Sequence, residues 1–163
     1  MAKLSTAAWI LHDLSLATAI GGVLFGQAAL TPAVKKLGNP RDRDAVNDAA
    51  WTRFSWFNLA AHGVMAATWF AGRAMLGGRE VSRTARHLTI VKDALVVTSL
   101  ASVVVTKVLG SLTDDEDSAL AKVVAVIGAT NLVSNVAMSA VTTGLSMEAS
   151  QSLPFSVVSR RLP

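Results

Sequence analysis

Cysteine is absent from this chain, and proline and glycine together supply only 15 of its 163 residues. The first absence excludes a disulfide-stapled scaffold; the second excludes a collagen-like repeat or a Pro/Gly-rich disordered segment. Charge is also scarce. Asp, Glu, Lys and Arg make up 16% of the sequence, against about 25% in an ordinary soluble domain. Hydrophobic residues take their place, at 52%. The length suits a single domain. Fifteen basic and eleven acidic residues leave a net charge of +4. A nucleic-acid-binding protein would gather its cations on one face. Here they stand at the ends of apolar segments, as in membrane helices, so lipid is the expected surrounding and no nucleic-acid partner is expected.

The spacing of charges is the strongest signal. No charged residue occurs in the 21 positions from Leu14 to Val34, the 19 from Phe54 to Gly72, or the 23 from Val123 to Leu145. A helix needs about 20 such residues to cross a bilayer. A further stretch from Arg86 to Lys107 is long enough to span, with its lysines snorkelling to the interface. The expectation is an all-α, four-helix transmembrane bundle with spans at about 8–34, 53–73, 87–108 and 122–147, forming one integral-membrane domain with a basic tail at 152–163. Asn39-Pro40 should open the second helix, which would protrude from the bilayer at its start. Gly77-Gly78 should break the chain, Ser82 cap the next helix, and Gly110 close it. Thr113 to Glu116 reads as a capping box, and Pro154 as the end of the fourth helix. Short connections make neighbouring helices antiparallel, giving an up-down-up-down order. A soluble bundle would show a polar stripe every three or four residues, and Val123 to Leu145 has no charge at all. The first apolar run exceeds the ~7–15 residues of a cleaved signal peptide, so it is expected to be a retained helix.

Orientation is nearly balanced. Lys3, Arg73, Arg79, Arg83, Arg86, Arg160 and Arg161 would share one side, and Lys35, Lys36, Arg41, Arg43, Arg53, Lys107 and Lys122 the other. Lys92 breaks the tie toward cytoplasmic termini in a bacterial inner (plasma) membrane protein.

Helices in lipid associate through close packing and polar contacts. Ser15, Ala19, Gly22 and Gly26 share one side of the first helix and read as an internal packing seam, with His12 on the same face. In the last helix Asn131, Asn135, Ser139 and Thr142 recur at intervals of four, four and three. Unpaired asparagine is costly in hydrocarbon, so this stripe should face other helices or a wet centre. The second helix offers Asn58 and His62, with Trp69 and Arg73 on the same line; the third offers Lys92, Ser99, Ser102 and Thr106. The centre should therefore be hydrogen-bonded, either as interhelical adhesion or as a path for a polar solute.

His12, His62 and His87 are the three histidines. No cofactor is expected, but His12 and His87 stand near the same end and are the pair that could hold a b-type haem or metal, with Arg83 and Arg86 for its propionates. The intramembrane charges Asp13, Lys92 and Asp93 are functional candidates by default. The simpler expectation is an anchoring Asp13–Lys92 or Asp93–Arg86 pair. Trp9, Trp51, Trp56 and Trp69 read as interfacial belts. No nucleophile elbow, zinc-protease signature or phosphate-binding loop occurs, and no catalytic residue is expected.

The run Leu11-His12-Asp13-Leu14 to Gly21-Gly22-Val23-Leu24-Phe25 resembles the first helix of copper-resistance-type small four-helix bacterial membrane proteins. That resemblance implies His12 as a candidate ligand. The remainder looks like small four-helix bacterial inner-membrane proteins without assigned chemistry. The expected function is non-catalytic: an accessory or scaffolding subunit of a larger membrane assembly, or a homo-oligomer. The alternatives are transport of an ion or small solute through a polar bundle centre, and b-type haem electron carriage.

Overall fold

The computed structural model describes the backbone of residues 2–76, 82–112 and 119–151, and the side chains of 7–73, 82–112 and 119–148. The expected Gly77-Gly78 break, the capping box at 113–116, the stop at Pro154 and the basic tail lie outside the described residues. Everything described is helix or short turn. The elements are α1 (Ala2–Phe25), a π-helical turn (Gly26–Leu30), α2 (Thr31–Val34), α3 (Pro40–Leu76), α4 (Arg83–Gly110) and α5 (Ala119–Gln151).

Local chemistry explains the boundaries. The π turn precedes Pro32, whose ring cannot donate a backbone hydrogen bond and crowds the preceding turn; the widened turn, closed by Thr31 N–H donating to the Gly26 carbonyl, lets α1 continue into α2. Asn39 Oδ1 accepts from the Arg41 N–H (3.1 Å) and opens α3 beside Pro40. At 37 residues, α3 is about 55 Å long and overshoots ~30 Å of hydrocarbon. Ser82 caps α4 by accepting from the Ala85 N–H (3.0 Å), and α4 ends at Gly110.

Among the described residues three stretches are long and apolar enough to cross a membrane: Ala7–Val34, Arg83–Gly110 and Ala119–Glu148. The charge spacing predicts a fourth at 53–73, and α3 does not qualify on that composition. Asn58, His62 and Arg73 stand among small residues there, and α3 buries Asn58 and His62 rather than presenting an apolar surface all round.

Polarity is arranged inside out. Leu14, Phe25, Trp56, Phe57, Val97, Val126 and Val133 are exposed, whereas His12, Asn58, His62, Lys92, Ser99, Asn131 and Asn135 are buried. Water would drive the opposite distribution; hydrocarbon permits this one because it rewards internal satisfaction of polar groups. The distribution and the three apolar helices together describe a membrane protein.

The helices meet through ordered pairs. His12 meets Met65, and Gly22 and Gly26 meet Phe54 and Trp51, so α3 numbers fall as α1 numbers rise. Between α3 and α4 the pairs are Trp69–Asp93, His62–Ser99 and Ser55–Lys107. Between α4 and α5 they are Ser82–Glu148, Lys92–Thr142 and Ser99–Asn135. The small seam of α1 lets aromatic rings approach its backbone: a Cβ on Gly22 would overlap the Phe54 ring, and one on Gly26 would lie 2.5 Å from Trp51. Ala19 is also buried, and Ser15 is half-buried. Gly21, one position away, has nothing near its missing side chain. Gly22→Ala should therefore cost about 1–3 kcal/mol through overpacking, while Gly21→Ala should gain up to about 1 kcal/mol from helix propensity. Unfolding of both variants by SDS titration from detergent micelles checks the opposed signs.

Candidate functional site

Three helices turn matching residues inward at heptad spacing. His62 and Trp69 on α3, Lys92 and Ser99 on α4, and Asn135 and Thr142 on α5 are each seven apart. Seven residues return a helix to nearly the same side, about 10 Å along its axis. The outcome is a layered centre: a neutral polar layer at His62, Ser99 and Asn135, and a cationic layer at Trp69, Lys92 and Thr142. Met65, Val96 and Met138, all fully buried, stand between them with Leu16 of α1.

In the neutral layer, His62 and Asn135 are 0% exposed. His62 Nδ1 donates to the Asn58 carbonyl (2.7 Å), and its Nε2 lies 3.0 Å from Ser99 Oγ. Ser99 Oγ donates to Asn135 Oδ1 (2.6 Å), Asn135 Nδ2 donates to Asn131 Oδ1 (3.0 Å), and Asn131 Nδ2 donates to the Ser99 carbonyl (2.8 Å). Both asparagine amides also stand 3.3 Å from His62 Nε2. Asn58 Oδ1 is buried with no hydrogen-bond partner among the described residues.

In the cationic layer, Lys92 is 0% exposed. Its Nζ donates to Thr142 Oγ1 (2.6 Å) and lies 4.2 Å from the centroid of Trp69 and 5.1 Å from that of Trp9. Two indole faces and one hydroxyl replace the water that the ammonium gave up; cation–π attraction is strongest where the cation is desolvated. His12 packs beside the same indoles, its ring centroid 6.0 Å from Trp9 and 6.1 Å from Trp69. The Met65 carbonyl accepts from His12 Nδ1 (3.1 Å), which leaves Nε2 buried without a partner among the described residues. Trp69 is held from behind by donating Nε1–H to Asp93 Oδ1 (2.8 Å), and Asp93 forms an ion pair with Arg73.

Several expected placements change. Lys92 does not snorkel to the interface or pair with Asp13: it crosses the bundle to Thr142, and Asp13 is exposed. A buried lysine is no loop cation, so the orientation count returns to seven against seven and loses its tie-break. Asp93 pairs with Arg73 of α3, not with Arg86, which is exposed on Asp93's own helix. Trp69 is buried in the centre instead of lying in an interfacial belt. Ser139 is exposed, and the buried stripe of α5 is Asn131, Ser134, Asn135, Met138 and Thr142. Eight residues rotate Ser139 about 80° past Asn131, whereas Thr142 returns to within about 20° of Asn135. His87 is exposed while His12 is buried. Five residues separate His87 from the inward-facing Lys92, about 140° around α4, so the structure does not assemble the two imidazoles as haem ligands. Among the described residues no three of His, Asp and Glu gather as a metal cage.

The aromatic seat of Lys92 and the intervening methionine layer escaped the sequence reading. The signal that could have found them is the shared seven-residue interval in three helices, read together rather than one helix at a time. No family model matches this chain, and no curated protein or solved structure is detectably similar to it.

Proposed function

We propose that this chain is a non-catalytic, multi-pass protein of a bacterial inner membrane that moves a proton or small cation through the centre of its bundle. The observation that carries the reading is Lys92, a fully buried lysine held by Thr142 and two indoles at the heart of an apolar helix. Ionisable groups kept inside a membrane against their desolvation cost mark ion paths and relays. His62, Asn131 and Asn135 continue the polar line on the far side of the methionine layer, where a translocated ion would next be met. The paired contacts support an up-down-up-down bundle in which α3 is the fourth span, its Asn58 and His62 shielded from lipid by its neighbours.

Purified protein in lipid vesicles under imposed H⁺, Na⁺ or K⁺ gradients tests this. Wild-type flux should exceed that of empty vesicles, and Lys92→Met should reduce it at least tenfold. Wild-type flux no greater than that of empty vesicles, for all three ions, would overturn the reading.

A second reading, an accessory subunit or homo-oligomer, is favoured by an apolar groove of ≈ 340 Å³ where Gly22, Gly26, Trp51 and Phe54 meet beside Phe25 and Phe57. A second copy of the chain is the occupant this reading requires. Native mass measurement in mild detergent should then show a dimer or larger assembly, and a lone monomer would remove it.

A further inference from the structure

Two successive residues of α4 grip the Trp69 ring, one on its face and one at its edge. Lys92 Nζ stands 4.2 Å from the ring centroid, and Asp93 Oδ1 accepts from Nε1–H at 2.8 Å. Consecutive residues diverge by about 100° around a helix, so Lys92 turns into the bundle while Asp93 stays at the groove between α3 and α4. The indole N–H lies in the plane of the ring, and a hydrogen bond to it fixes that plane. Cation–π attraction acts over the ring face and weakens as the ring tilts. The second oxygen of Asp93 pairs with Arg73, one turn beyond Trp69 on α3. The carboxylate is thus anchored to α3 at two points, with one oxygen for each donor. Trp9 closes the other side of the lysine: its centroid is 5.1 Å from Nζ, and the two indoles meet at 72° with centroids 6.4 Å apart. Lys92 fills the corner between them and is 0% exposed. Nothing dissolved in water reaches the ammonium unless an indole swings aside.

We infer that Asp93 governs access to Lys92: it is a positioning residue that acts through Trp69, holding the indole closed over the ammonium. The inference rests on the transport reading for its use, because an ion that engages Lys92 must displace one of its walls. Of the two, Trp69 is the wall on the α3 line that leads through Met65 to His62, whereas Trp9 is 40% exposed and lies toward the surface. Asp93 reaches that wall from the same helix as the lysine, so the face contact and the edge contact hold or fail together. It is also partly exposed while Trp69 is buried, which puts the controlling bond where the surroundings of the bundle can act on it. Asp13 is the other acid at this end. It is exposed on α1, and among the described residues it hydrogen-bonds to neither indole.

Lysine-¹⁵N-labelled protein in micelles, with Lys92 assigned by the signal lost in Lys92→Met, reports how fast the ammonium hydrogens exchange with water. In wild type that exchange should be slow, because it waits on a local opening. Asp93→Ala, which frees the ring edge, should speed it about tenfold or more, the size expected on losing a hydrogen bond to a charged group. Trp69→Phe keeps an aromatic face but has no edge N–H, and should also speed exchange. Adding Asp93→Ala to Trp69→Phe should then change nothing further, since both act through one bond. Asp13→Asn removes a negative charge from the same end without touching Trp69 and should leave the rate near that of wild type. Should Asp93→Ala not fold, Asp93→Asn takes its place: one side-chain oxygen is left for two donors, and exchange should still rise. A wild-type ammonium that exchanges like an exposed lysine overturns the inference. So does an Asp93 variant that exchanges as slowly as wild type, an equal rise in Asp13→Asn, or a further rise in the double variant. If exchange behaves as described but wild-type vesicles carry no ion, the positioning role stands and the transport reading falls.

Discussion

Asn135→Leu should cost about 3 kcal/mol of stability, because one substitution of similar volume removes three roles from a buried layer. It takes the acceptor from Ser99, the donor from Asn131 and one of the two amides from His62. Interhelical hydrogen bonds in membranes contribute about 0.6–2 kcal/mol each, and orphaned buried partners cost about 1–3 kcal/mol. These losses overlap, so the expected total lies well below their sum. Ser139→Leu, four residues along the same helix and exposed, should stay within about 0.5 kcal/mol of wild type. SDS titration of the two variants side by side is the measurement. A loss below about 1 kcal/mol for Asn135→Leu would show that the neutral layer does not organise the bundle.

Lys92 should separate packing from charge more sharply than any other position. Lys92→Ala deletes a fully buried stem and both indole contacts, leaving a cavity between Trp69, Trp9 and Thr142. Large-to-small changes of that kind cost about 2–5 kcal/mol. Lys92→Met refills the stem and removes an ammonium that had been desolvated. Replacing a buried charge with an apolar group of similar volume is often neutral or stabilising, so this variant should remain within about 1 kcal/mol of wild type. The expected pattern is a folded methionine variant with flux reduced at least tenfold and an alanine variant that unfolds early. SDS titration, with emission from Trp9 and Trp69 as the readout, distinguishes them. Equal destabilisation by both would mean that the charge itself holds the helices together. That result would make Lys92 a structural residue.

Between Lys92 and His62 lies the layer of Met65, Val96 and Met138. In the proposed transport role, an ion passing between the two polar layers would cross about 10 Å of apolar side chains, and this layer would be its barrier. Methionine suits such a place because its unbranched, polarisable side chain repacks readily.

Much of this molecule is legible in its sequence. Runs of about 20 uncharged residues report the solvent of a helix, because the cost of carrying charge into hydrocarbon is local to each segment. Caps at Asn39 and Ser82 and the stop at Gly110 are equally local, and each appears where the residues imply. Asn58, His62, Asn131 and Asn135 also stand out from sequence alone, since an amide or imidazole in a greasy run needs a partner. Segment polarity, however, did not distinguish α3 as the helix whose burial depends on the others.

Tertiary structure decided who meets whom. Helical periodicity allows a stripe to be drawn through Ser139 or through Thr142, and only the seating of α5 against α4 chose the latter. Lys92 could reach the interface or the centre; the indoles of two other helices settled it. Asp93 had cations within reach on its own helix and across the groove, and the register of α3 against α4 delivered Arg73. These outcomes depend on the axial and rotational fit between helices, set by shape at every contact along their length. Composition determines that a polar group must be satisfied, and packing determines by which partner.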